Sequence, residues 1–353
     1  ISFSIIDIKA RPPVNLGYIV TPYQWNTDSL MGDLLFEVIK VFQYIQDQWA
    51  KGRKIYGKRS WRETRRVVLH TARSLGRRQH MKKLENYFAN YKPAPELLHR
   101  QIGLYELMTR IFFFKESTAD ERLEAIINHF DYIQNVFTDE SIQSMYSVDE
   151  TNIWDDVSRI KRGFIVWESE ELNMKAQLYY GPGQRKEGLL TLLLTLESQG
   201  VYHANFRFGK GFNGEKAMWI GTIQGYKDGL DNAKIATKKM FGYRPKNFIM
   251  YLLRLIAKEC GVETIYAVSD EGFYANTHLI RIHRAKVAEL DSLWEESGGE
   301  LSQDPRFYKI PLEEYRKPIE EIKSQKRSQY RKRYELLDEY MVQVQENLKP
   351  YLK

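Results

Sequence analysis

Cysteine is almost absent: Cys260 is the only one in 353 residues, which excludes an intramolecular disulfide and any zinc site built on several thiolates. The seven histidines show no ligand spacing, so the pattern gives a metal centre no support. No run approaches the roughly 20 consecutive apolar residues of a membrane span. The stretch from Ile1 onward lacks the basic, apolar, small-residue order of a signal sequence. Cytoplasm is the expected location, an expectation that covers only the chain from Ile1 because no initiator Met begins it. No internal repeat or low-complexity tract is present. Hydrophobic residues make up 43% and charged residues 28%, ordinary globular usage that argues against disordered and fibrous classes.

What is present in excess is positive charge. The formal net charge is +7, and the excess is uneven. Lys51, Arg53, Lys54, Lys58, Arg59, Arg62, Arg65, Arg66, Arg73, Arg77, Arg78, Lys82 and Lys83 are opposed by Glu63 alone before Glu85. Such a run favours an acidic partner, an anionic membrane surface or headgroup phosphates. It comes with no base-reading module, so specific nucleic-acid binding is not expected.

The hydrophobic period divides the chain. From Ser29 to Trp49 the residues Leu30, Leu34, Val38, Phe42, Ile45 and Trp49 recur at helical spacing. A second helix is expected after Pro95, through Leu98, Ile102, Tyr105 and Met108. A third opens at a capping box, Thr118 to Glu121, and carries Leu123, Ile126, Ile127, Phe130, Ile133 and Phe137. Asp139 to Glu171 lacks a clear period and reads as an ordered connection. The period then becomes two: Met174–Tyr180, the apolar run Leu189–Leu196, Tyr202–Phe208 and Ala217–Gln224 read as antiparallel strands. In the third of these, His203, Asn205 and Arg207 alternate with apolar residues, which predicts one exposed face.

Helices follow at Asn232–Met240 and Pro245–Cys260, the second ended by Gly261. Thr264–Val268 is a β-branched strand, and a strand, helix, strand crossover of this length pairs its strands in parallel. Later elements are a helix over Lys286–Glu296, a strand over Arg306–Ile310 and a long charged helix over Ile319–Leu348.

The segment Gly242-Tyr-Arg-Pro-Lys-Asn247 lies where the long Pro245 helix begins. Pro245 suits a first helical position. Arg244 and Lys246 do not, because a helix start carries about half a positive charge. An anion held by the cations and the free N–H groups would resolve the conflict, so a phosphate site is one reading. A carboxylate from elsewhere in the chain is the other. Lys234 and Lys238 could add charge. His203, on the polar side of its strand, and Ser269, at a strand end, are the candidates for moving protons. His278 is a further histidine near Ser269.

Lys186–Leu190 (KEGLL), Trp219–Gly225 (WIGTIQG), Thr237–Lys246 (TKKMFGYRPK), Ala267–Ser269 (AVS), Trp294–Gly299 (WEESGG) and Arg327–Tyr334 (RSQYRKRY) resemble the ordered motifs of the VirK/YbjX family. That resemblance implies a largely unassigned domain linked in Gram-negative pathogens to virulence and envelope stress. The C-terminal half is also similar in element order to the GCN5-related N-acetyltransferases. This likeness implies acyl-coenzyme A between two splayed strands, Ile220–Gln224 and Thr264–Val268. Ile220, Gln224 and Gly225 would lie along the cofactor, with Lys234, Lys238, Gly242, Arg244 and Lys246 at its phosphates. The chain departs from that superfamily in its phosphate loop and in the inserted Asn232–Met240 helix.

The expected fold is therefore α+β. It has a mainly helical basic region over 1–140, a connection over 141–170, and an acetyltransferase-like mixed sheet over 171–315 made of an antiparallel meander plus a βαβ unit. A C-terminal helix over 316–353 follows. The expected function is that of an acyltransferase binding acyl-coenzyme A. The alternative is a non-enzymatic regulatory or scaffold protein that engages an acidic partner or membrane surface through its basic half.

Overall fold

The computed structural model describes residues 30–57, 60–147, 163–226, 229–276 and 289–353. The chain divides into two compact units, residues 1–47 and 48–353. Of the first, the described part is the opening of helix α1 (Leu30–Tyr56), where Leu34, Phe36, Val38 and Phe42 are exposed and Lys40 pairs with Glu37.

In the second unit the end of α1 is followed by α2 (Trp61–Leu75), α3 (Arg78–Ala89), α4 (Leu97–Arg100), α5 (Leu104–Thr109), α6 (Ala119–Val136) and α7 (Asp139–Met145). α6 begins as its sequence predicts. The Glu121 N–H donates to Thr118 Oγ1 (3.1 Å) while the Thr118 N–H donates to the Glu121 carboxylate (2.7 Å). The single helix expected after Pro95 is instead two, α4 and α5. Between them the buried Gln101 turns its side chain inward to donate to the Tyr146 carbonyl (2.9 Å).

Among the described residues eight strands form one mixed sheet: β1 (Phe164–Ser169), β2 (Met174–Tyr179), β3 (Leu190–Leu196), β4 (Gln199–Lys210), β5 (Lys216–Gly225), β6 (Thr264–Val268), β7 (Glu300–Leu301) and β8 (Phe307–Ile310). Their order is β1-β2-β3-β4-β5-β6-β8-β7. β5 and β6 are parallel, with Ala217 opposite Thr264 and Ile220 opposite Ala267, and the other neighbours are antiparallel. The crossover between the parallel pair carries α8 (Leu230–Lys239) and α9 (Pro245–Glu259), as the period change predicts. α10 (Leu290–Glu296) precedes β7, and α11 (Ser324–Leu348) closes the unit. No helix among the described residues is long and apolar enough to cross a membrane.

Two readings need correction. The stretch Asp139–Glu171 was expected to be a connection, yet its described part holds α7 and β1. A bulge between Ile165 and Trp167 breaks the alternation of β1, which is why no period of two is visible there. β4 was expected to expose one face, but His203, Asn205 and Arg207 are all buried. The Arg207 guanidinium lies over the rings of Trp219 and Phe113, 4.8 and 5.7 Å from their centroids.

The core joins helix to sheet. Trp167 on β1 meets Phe248 of α9 and Tyr340 of α11 at ring distances of 4.8 and 4.7 Å. On α6, His129 Nδ1 accepts from the Phe208 N–H (3.1 Å), which leaves Nε2 as the protonated nitrogen. That N–H donates to the Tyr146 hydroxyl (2.7 Å), and the hydroxyl donates to the Leu189 carbonyl (2.9 Å). Burial, with Arg207 nearby, lowers His129 to about 3, so the ring stays neutral as this relay requires.

Candidate functional site

The pairing of β5 with β6 ends at Ile220 and Ala267, but β5 runs on to Gly225. α9 returns from the C-terminal end of β5 to the N-terminal end of β6, so its own N-terminus stands at the end where the two strands part. Ile220 is fully buried, Gln224 half-buried and Gly225 exposed. At Gly221 the Glu187 carbonyl comes so close that a Cβ would sit 1.8 Å from its oxygen. Only glycine admits that approach.

Arg244 is the residue before α9, extended at φ −76° and ψ 139°, and no side chain caps the helix. Arg244 and Lys246 converge on one carboxylate: Glu296 Oε2 lies 2.9 Å from each. Of the two sequence readings for these cations, an anion does join them, and here it is the chain's own. Burial raises the Glu296 carboxyl, but the contacts with Lys246 and Arg244 outweigh it and hold the group below its usual value.

Gly242 has φ +77° and its N–H donates to the Thr237 carbonyl (2.8 Å), which ends α8. Its open side faces α11, where a Cβ would meet Gln329 at 2.8 Å, and Arg333 of α11 donates to the neighbouring Phe241 carbonyl. Lys234 pairs with Asp231 (3.0 Å), and Lys238 is exposed.

His203 and Ser269 occupy different settings. Ser269 Oγ donates to the Pro305 carbonyl (2.9 Å) and accepts from the Gly272 N–H (2.9 Å), closing the turn after β6. Both ring nitrogens of His203 are buried without a hydrogen-bond partner among the described residues, and burial lowers the ring to about 4. Two residues along the same face, Asn205 donates to the Glu187 carboxylate (2.8 Å) and accepts from Thr191 Oγ1 (2.9 Å). Burial pushes Glu187 up to about 6, against the pull of Lys186 and the Asn205 bond. Thr222, opposite Asn205 on β5, also keeps a buried hydroxyl without a partner. Sequence reasoning missed Glu187 and Thr222, because no spacing rule connects a loop before β3 with the middle of β5. His278 lies outside the described residues.

A second feature lies in the helical part. A cavity of about 580 Å³ is lined by Tyr56, Trp61, Arg62, Arg65, Arg66, Leu69, His70, Arg73, Thr109 and Arg110. Beneath it Glu106 is buried and accepts from Tyr56 (2.8 Å), Arg110 (2.7 Å) and both the Nε and NH2 of Arg185 (3.1 and 2.5 Å). Burial alone would raise the Glu106 carboxyl, but Arg185 and Arg110 overcome it and hold the group at about 2.

The fold thus defines an α+β protein whose mixed sheet parts beside a helix start and whose helical region carries an arginine-lined cavity. Residues 59–346 match the family described as protein of unknown function (DUF535), and the chain belongs to it, the VirK/YbjX family that its motifs resemble. The chain is 33% identical over 170 residues to the uncharacterized protein YbjX of Escherichia coli (strain K12), covering 44% of this chain and 51% of that protein. It is 30% identical over 154 residues to an uncharacterized protein of Haemophilus influenzae, covering 42% and 49%. The chain spans about half the length of these curated relatives. No solved structure matches it.

Proposed function

We propose that this protein binds acyl-coenzyme A, or a related phosphorylated ligand, where β5 and β6 part, and that it is an acyltransferase. The observation that carries the reading is the parallel pair itself, in which β5 outruns β6 beside the start of α9. The element order that resembles the GCN5-related N-acetyltransferases supports the assignment, together with the parallel β5–β6 pair inside an otherwise antiparallel order among the described residues. Ile220, being buried, would contribute its main chain, while Gln224 and Gly225 would line the mouth. Arg244 and Lys246 would exchange Glu296 for a phosphate, with Lys234, Lys238 and the Gly242 turn alongside. A phosphate carries more charge than a carboxylate and can also accept from the helix start, which favours the exchange. For the transfer step, Glu187, whose carbonyl approaches Gly221, and His203, opposite Gln224 on β5, offer buried proton acceptors, and Ser269 already has two partners.

Thermal unfolding with and without coenzyme A tests this. At a hundredfold excess over the dissociation constant the ligand should stabilise the fold by about 2.7 kcal/mol. Arg244→Ala should reduce that shift. Glu296→Gln should enlarge it, because it removes the competing anion. If the native chain shows no shift at millimolar coenzyme A, the cofactor assignment fails.

A second reading has its own observation in favour: the arginine-lined face of α2. In it the protein is non-enzymatic and holds an acidic partner or anionic membrane surface through its basic half. Such binding should weaken steeply with salt.

A further inference from the structure

We infer that the cavity beside α2 is a binding site for a small ligand that carries adjacent phosphate groups on a hydroxylated ring. This deepens the second reading above and is independent of the acyl-coenzyme A assignment.

The case starts with helix geometry. Arg62, Arg65, Arg66 and Arg73 stand at offsets of three, four and eleven residues, which puts them on one face of α2. Like charges at these spacings repel, so an isolated α2 disfavours the arrangement. Glu63 relieves only Arg66, through two contacts of 3.0 Å. Arg73 reaches the Thr109 carbonyl (3.3 Å) and Arg110 is held by Glu106. Arg62 and Arg65 have no carboxylate partner among the described residues. A solvated cationic face would be convex. This one borders a cavity of about 580 Å³, inside the roughly 300–1,000 Å³ range of small-molecule sites.

His70 supplies the independent observation. Thr109 Oγ1 donates to the Glu106 carbonyl (3.1 Å), so in its 3.1 Å contact with His70 it accepts, and His70 Nδ1 carries the proton. His70 Nε2 is then a bare acceptor, buried, on a residue lining the cavity, and without a hydrogen-bond partner among the described residues. Burial lowers this ring to about 4, which keeps it neutral. A phosphate cannot satisfy it, but a ligand hydroxyl can donate to it. Trp61 is 83% exposed at the cavity rim and gives a ring or base a surface to stack on. Nucleoside polyphosphates and phosphorylated sugars share the required chemistry of closely spaced phosphates and hydroxyls.

Isothermal titration of the full chain with ATP, 5-phosphoribosyl 1-pyrophosphate and inorganic tripolyphosphate separates these sources. ATP or the sugar pyrophosphate should bind, and tripolyphosphate, lacking a hydroxylated ring, should bind more weakly. The double variant R62Q/R65Q changes only exposed side chains and should weaken binding at least tenfold and flatten its salt dependence. Absence of binding by all three probes at millimolar concentration overturns the inference, as does binding that R62Q/R65Q does not alter. If anionic vesicles then still bind in a salt-dependent way, the ligand assignment falls while the broader second reading stands. If they do not, both fall.

Discussion

Replacing Glu106 with alanine should destabilise the protein by about 3–5 kcal/mol, because it takes the counter-charge from a buried guanidinium. Glu106 and Arg185 have side-chain exposures of only 4% and 9%, and the carboxylate accepts from four donor groups. Arg185 keeps its bond to the Pro182 carbonyl (2.6 Å), a neutral acceptor that does not replace the carboxylate's charge. Urea unfolding measures the effect. A double variant, E106L/R185M, should recover much of it, since both charges leave together. A loss below about 1 kcal/mol in E106A would contradict the assignment of this pair as a buried ionic anchor. The pH dependence has a definite sign. The folded carboxyl is held at about 2, below its unfolded value near 4.3, so the contribution is present above pH 4 and is lost as pH falls towards 2.

Trp294→Ala should cost about 3–5 kcal/mol and also change the site. Trp294 is fully buried, and its indole N–H donates to the Val268 carbonyl (2.9 Å) at the end of β6. Two residues further along the chain, Glu296 reaches Arg244 and Lys246. The indole therefore fixes α10 to the sheet end while Glu296 engages the start of α9. Trp294→Phe keeps most of the apolar area and loses the hydrogen bond, so it should cost markedly less than the alanine variant. Equal losses for the two would indicate that the hydrogen bond rather than the buried ring dominates.

The meander and the parallel crossover were legible because each announces itself by a change of hydrophobic period, from 3.6 to two near Met174 and back after Gly225. β1 was not, because its bulge at Ile165 and Trp167 shifts the alternation by one residue. The alternation in β4 was read correctly as a strand and wrongly as half-exposed. Period alone cannot tell a polar face in water from one covered by another segment, and here Phe113 lies against Arg207 and the Phe113 N–H donates to the Lys186 carbonyl (2.7 Å).

At the site, the mismatch of Arg244 and Lys246 with the helix dipole was visible in sequence, and the structure supplies an anion. Its identity, Glu296, was not visible, since the pairing depends on how α10 folds back some fifty residues later. The arginine face of α2 was within reach. Counting charges from Lys51 to Lys83 registered only a basic run, whereas projecting Arg62, Arg65, Arg66 and Arg73 onto a helix separates a lined cavity from a diffuse patch.

Hydrogen exchange with and without saturating coenzyme A tests the central claim most directly, because it reports where the ligand lies as well as whether it binds. The account predicts slowed exchange at the amides of Gly221–Gly225 and of Lys246–Phe248, and the same protection in R62Q/R65Q, where the arginine face of α2 is weakened. Unaltered exchange at both segments, or protection confined to α2, would contradict it.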